Sequence, residues 1–150
     1  MSSDAQVRAN MNGAEVFDFG STACVIARPL AQSRVAIVTT AGLRPDGQAT
    51  WTQGQGYIVL DGAQHSLALA HTSPNFDRTG VAADLNVVYP VDRLAELARD
   101  RVIASVAPRH ISFMGAQLDH TLATLRLDTG PAAAQLLKDD GVDVVLLTPV

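Results

Sequence analysis

The densest run of chemistry-bearing side chains is HTSPNFDRTGVAAD (71–84), which holds His71, Asn75, Asp77, Arg78 and Asp84. His71 and Asp77 are of the right types to act as acid and base, or to ligate a metal. The same residues can equally hydrogen-bond to order a long loop. No compact ligand spacing such as HExxH is present, so no metal site is expected. A second pair, Arg109-His110, follows Pro108. There the guanidinium could hold a substrate carboxylate in a bidentate pair, or be a surface Arg beside a His packed on Phe113. Thr39-Thr40-Ala41-Gly42 is a third candidate, since small residues let backbone approach a ligand or an anion. It lacks both GxGxxG spacing and a Walker Lys, which argues against a nucleotide site. Cys24 sits among apolar residues in STACVIARPL and reads as a core thiol rather than a nucleophile. His65 and His120 have no context that raises them above surface residues, and no GxSxG elbow occurs.

These residues must be positioned by the elements around them. RVAIVTTAG (34–42) is apolar on both faces through Val35–Val38, which suits a parallel strand covered on both sides. LRPDGQATWTQGQG reads as loop, with short strands at 57–60 and 66–70 around Asp61-Gly62. Residues 71–84 read as loop, and 85–90 as strand or extended connection. Pro90 opens a helix over 91–100, where Leu94, Leu97 and Ala98 form the core-facing stripe. A strand over 101–108 precedes a loop at 109–115. Helices follow at 119–127 and at 131–140, the latter with Pro131 in its first turn and Gly141 as its stop. The final strand spans 142–149 and places Thr148 at its carboxyl end, where α/β proteins put their chemistry. Helix and strand alternate in the second half. That pattern predicts a single α/β domain with a mainly parallel sheet and flanking helices, in Rossmann-like or flavodoxin-like layering. Residues 1–28 read as an irregular lead-in to a domain over 29–150.

The totals narrow the function classes. One hundred and fifty residues suffice for one core, and the apolar content is 47% with 17% charged. The low charge points to extensive burial, including at a subunit interface. A net charge of −4, with scattered Arg and one Lys, argues against nucleic-acid binding. No apolar run is long enough to span a membrane and no secretory signal is visible. With a single cysteine, no internal disulfide can form, and a cytoplasmic location is expected.

Three stretches together resemble one family. PLAQSRVAIVTTAGL (29–43), HTSPNFDRTGVAADLNVVYPVDRLAELARDRVIASVAPRHISFMG (71–115) and LLKDDGVDVVLLTPV (136–150) are similar to the glycine/sarcosine/betaine reductase selenoprotein B family. That group includes the D-proline reductase selenoprotein subunit. The resemblance implies reductive cleavage of a C–N bond next to a carboxylate, in a small amino acid or an N-methylated derivative. It further implies a pyruvoyl group on a partner subunit that captures the substrate amine. The nucleophile would be a selenocysteine or cysteine in the loop after the LLTP strand. The sequence has no residue at that point. Two expectations follow: a record truncated at a UGA codon, or a family remnant that binds or assembles, as a homo-oligomer, without the chemistry. On the family pattern His71, Asp77 and His110 are nominated as catalytic, and Arg109, Thr39, Thr40 and Thr148 as substrate-binding.

Overall fold

The computed structural model describes residues 25–49, 51, 56–117 and 119–150, together with Ala5, Gln6, Ala9 and Gly20. Cys24 and most of the lead-in lie outside the described residues, as does the side chain of His120. The central element is β1 (Arg34–Thr39). Its uncharged interior alternates between two cores. Val35 and Ile37 enter one, and Ala36 with Val38 joins the other. Burying each such Val or Ile contributes about 1.5–3 kcal/mol, so β1 anchors the domain.

Around it stand β2 (Leu43–Pro45), β3 (Ile58–Asp61), β4 (Leu67–Leu69), β5 (Ser105–Val106), β6 (Arg109–Ser112) and β7 (Val144–Thr148). β1 pairs in parallel with β5, β6 and β7, while β3 pairs antiparallel with β6. The sheet is therefore mixed, and β2 with β4 forms a separate antiparallel pair. The α-helices described after residue 29 are α1 (Thr79–Ala83), α2 (Val91–Arg99), α3 (Asp119–Thr124) and α4 (Gly130–Asp139). α2 sends Val91 and Leu94 into the first core, and α4 sends Ala133 and Leu137 into the second. The α/β class and the single domain agree with the sequence. The antiparallel edge strand β3 departs from the expected sheet.

Several local expectations are corrected. The strand expected over 101–108 is only Ser105–Val106, and the loop expected at 109–115 begins as β6. Both lie along one edge of β1. The register runs Arg34↔Ser105 and Val35↔Val106, then Val38↔Ile111 and Thr39↔Ser112. Two more residues are used on the β5–β6 side than on β1 over this interval. Pro108, which has no N–H to give a ladder, sits in the resulting bulge. Residues 85–90 contain no strand. Asp84 accepts from the Asn86 N–H at 2.9 Å and closes a 3₁₀ turn over Leu85–Val87. Residues 43–45, expected as loop, pair with β4 instead. The helix expected at 119–127 passes from α3 through a π turn at Leu125–Thr129 into α4. Gly141 stops α4 at φ +68, a conformation available to glycine at little cost.

Candidate functional site at the carboxyl edge of the sheet

Because β1, β6 and β7 are parallel, their carboxyl ends emerge on one side of the sheet. That edge carries Thr39 and Thr40 from β1, Ser112 to Gly115 from β6, and Thr148 to Val150 from β7. Hydroxyls knit it together. The Thr40 Oγ1 accepts from the Val150 N–H at 2.8 Å and donates to the Val150 carbonyl at 3.2 Å. Thr39 Oγ1 accepts from the Ala41 N–H at 3.2 Å, and the Thr148 hydroxyl donates to the Val88 carbonyl at 2.8 Å. The Gly115 N–H closes the group by donating to the Thr40 carbonyl at 2.8 Å.

His71 is brought to this same edge. The Ala70 N–H donates to the Gly42 carbonyl at 3.1 Å, which places the chain of His71 beside Gly42. The residue is 7% exposed, and its imidazole stacks on Phe76 with centroids 4.4 Å apart and planes at 22°. Its Nδ1 accepts from the Ser73 N–H at 3.2 Å, so the proton of the neutral ring resides on Nε2. Nε2 itself is buried with no hydrogen-bond partner. Burial, together with the neighbouring Arg78 guanidinium, lowers the pKa of His71 below the ordinary histidine value. Arg78 also holds the loop: it donates to the carbonyls of His71 at 2.7 Å, Phe76 at 3.2 Å and Ser73 at 3.3 Å.

Two glycines make this approach possible. Gly42 has φ +66, and a Cβ there would stand 3.2 Å from the His71 main-chain N and 2.8 Å from Met114 Cε. A Cβ on Gly115 would lie 3.1 Å from His71 Nε2, 2.9 Å from the Thr40 carbonyl oxygen and 2.7 Å from that of Val150. Three polar atoms thus converge on the bare face of Gly115.

The other nominated residues are placed elsewhere. His110 is fully buried within the sheet, edge-on to Tyr89 at 5.4 Å. Its Nδ1 accepts from the Ile37 N–H at 3.0 Å, and burial lowers its pKa to about 4. Arg109 lies at the amino end of β6, away from the carboxyl edge. Its guanidinium grips the Asp140 carboxylate, with Nε–Oδ2 at 2.8 Å and NH2–Oδ1 at 2.6 Å. Asp77 is exposed and turns its carboxylate to the Thr79 N–H at 2.8 Å, which lowers its pKa. The edge therefore gathers His71, Thr39, Thr40 and Thr148, whereas His110 is committed to the core of the sheet, Arg109 lies at its other end, and Asp77 is an exposed residue of the His71 loop. Among the described residues no three His, Cys, Asp or Glu side chains gather to hold a metal.

Sequence reasoning placed Gly42 in the Thr39–Gly42 candidate but did not single out Ser73, Phe76 and Gly115 as site residues. The signal for the glycines was their position after small or apolar residues at strand ends. Nothing local marked Ser73 as the donor that sets the imidazole tautomer.

A hydroxyl-lined carboxyl edge with one buried imidazole, on parallel strands of an α/β domain, stands at the position where α/β folds commonly carry small-molecule sites. The chain belongs to the glycine/sarcosine/betaine reductase selenoprotein B family, whose pattern matches residues 16–150. It is 31% identical over 125 residues to the D-proline reductase subunit gamma of Acetoanaerobium sticklandii, a match covering 82% of this chain and 51% of that protein. The chain thus spans about half the length of this curated relative. No solved structure matches it. No helix among the described residues is long and apolar enough to cross a membrane.

Proposed function

We propose that this chain is part of a selenoprotein B-type reductase subunit acting on a small amino acid or N-methylated derivative, of the glycine, sarcosine, betaine and D-proline class. The observation that carries the reading is the convergence of Thr39, Thr40, Thr148 and the unpartnered His71 Nε2 on one sheet edge, in a chain of this family. In this reading a selenol or thiol following β7 supplies the soft nucleophile, and a pyruvoyl group on a partner subunit captures the substrate amine. The edge fits such chemistry, because the Val150 main chain and His71 Nε2 meet at Gly115. Thr40 positions the segment leaving β7 through its two bonds to Val150. The stacked Phe76 and the buried surroundings of His71 keep water from the imidazole. A cytoplasmic location belongs to the same reading.

A second reading, assembly without chemistry, is favoured by one feature. β7 leaves Val145, Leu146 and Leu147 exposed, the last at 66%. Val145 and Leu147 border an apolar groove of about 380 Å³ between α4 and β7, lined also by Val38, Phe113, Ala133 and Leu137. Such a surface suits a homo-oligomer.

The deciding experiment joins the full natural subunit to its pyruvoyl-bearing partner and supplies a thiol reductant. Thiol-dependent C–N cleavage of one of the four substrates is expected. No cleavage of any of them would leave the assembly reading in place.

A further inference from the structure

We propose that His71 binds a small-molecule carboxylate: its imidazole is held neutral with the proton on Nε2, and Nε2–H donates to the carboxylate oxygen at the carboxyl edge of the sheet. The proposal rests on the reductase reading for its biological purpose, while its geometry stands independently.

The tautomer is imposed by the fold. Because the Ser73 N–H points at Nδ1, that nitrogen must present a lone pair, and the ring cannot add a proton there without losing the bond. Phe76 fixes the plane of the ring from its face. Nε2–H is consequently a donor with a set direction. It is buried, and nothing in the described structure accepts from it. Buried donors are nearly always satisfied, so an orphan at a sheet edge is an invitation to a ligand acceptor.

The charge nearby selects the kind of acceptor. Arg78 gives its hydrogen bonds to three carbonyls, those of His71, Ser73 and Phe76. The ion pairs among the described residues are Arg28–Asp143, Arg93–Glu96 and Arg109–Asp140. No carboxylate therefore neutralises Arg78 at ion-pair distance among those residues. The same positive field that opposes an imidazolium attracts an anion, and a charged acceptor makes the stronger hydrogen bond. Arg109, the other candidate for this task, is already occupied by Asp140.

His71 Nε2 and the main-chain oxygens of Thr40 and Val150 crowd the point where a Cβ of exposed Gly115 would stand, so the approach to Nε2 is closed while Val150 is bonded to Thr40. Val150 is 47% exposed, and its bonds to the Thr40 hydroxyl lie at the surface. A carboxylate reaches Nε2 by displacing the Val150 main chain from Thr40.

The test uses the whole chain labelled with ¹⁵N-histidine, with His71 assigned by its Overhauser contacts to Phe76. Through the neutral pH range, Nδ1 should show the shift of an unprotonated nitrogen and Nε2 that of a protonated one. Added acetate should move the Nε2–H resonance downfield and saturably, with a millimolar dissociation constant, whereas chloride at equal ionic strength should not. Arg78→Gln and Gly115→Ala should each weaken acetate binding by about tenfold, one by removing the field and one by filling the approach. A proton on Nδ1, a ring that charges at the ordinary histidine pH, or an acetate response no different from that of chloride would overturn the proposal. Neither readout uses turnover, so failure here and failure of the reductase reading are separate results.

Discussion

The Ile37 N–H donates to Nδ1 of His110 at 3.0 Å, from the middle of β1 to a side chain of β6. The bond falls where the bulge at Ala107-Pro108 interrupts the ladder between the Val35↔Val106 and Val38↔Ile111 pairs. An imidazole thus satisfies a backbone donor that the interrupted strand leaves over. A residue nominated for proton transfer serves the core of the sheet.

Replacing His110 by Leu should therefore destabilise the protein by about 2–3 kcal/mol, since the Ile37 N–H stays buried without a partner. Urea unfolding followed by the fluorescence of Trp51 checks this. Trp51 is the single tryptophan, is buried, and donates from Nε1 to the Gly42 carbonyl at 3.0 Å. An unchanged midpoint would show that the bond contributes nothing net.

The same histidine sets a pH dependence. Its folded pKa is about 4, below the ordinary value of 6.5 that applies once the chain unfolds. Between those values the unfolded chain binds more protons, so stability rises with pH. The contribution is complete above about pH 6.5, declines by up to about 1.4 kcal/mol per unit as pH falls, and levels off near pH 4. His71, also lowered, adds in the same direction. Unfolding midpoints measured across this window should show the slope in the native chain, and a shallower one in His110→Leu.

Gly42→Ala tests the approach of the His71 loop. At φ +66 a side chain is strained by about 1–2 kcal/mol, and the new Cβ also crowds the His71 main chain. The variant should unfold at lower urea and weaken acetate binding by about tenfold. Wild-type acetate affinity in a stably folded variant would show that the contact does not position the imidazole.

Arg109→Ala separates the two ends of the sheet. Arg109 and its Asp140 partner sit at the amino end of β6, whereas His71 sits at the carboxyl end. A slightly lower melting temperature is expected, with acetate affinity unchanged within about twofold. A tenfold loss of affinity would return Arg109 to the binding site.

Much of this arrangement was legible in order along the chain. The two-faced apolar run at Val35–Val38 marked the central strand because both periodic positions are apolar. Pro131 and Gly141 bounded α4 because each has restricted or unusual backbone freedom. The motifs in 71–115 pointed to the family before any geometry was known. Thr39, Thr40 and Thr148 were placed at strand ends by periodicity alone, and parallel pairing brings those ends together.

The order of residues carried the class of the domain, its central strand and the set of polar residues available to a site. Which partner each of those residues takes emerged from the folded arrangement. Asp140 claims Arg109, the Ile37 N–H claims His110, and the Thr79 N–H claims Asp77. His71 and His110 each keep a buried Nε2 without a partner, and of the two only that of His71 lies beside Gly115 at the carboxyl edge. A side chain's role depends on which partners the fold sets beside it. Arg109 with Asp140 and His110 with Ile37 are pairings between residues distant in sequence, set by a strand bulge and a helix end rather than by any local pattern.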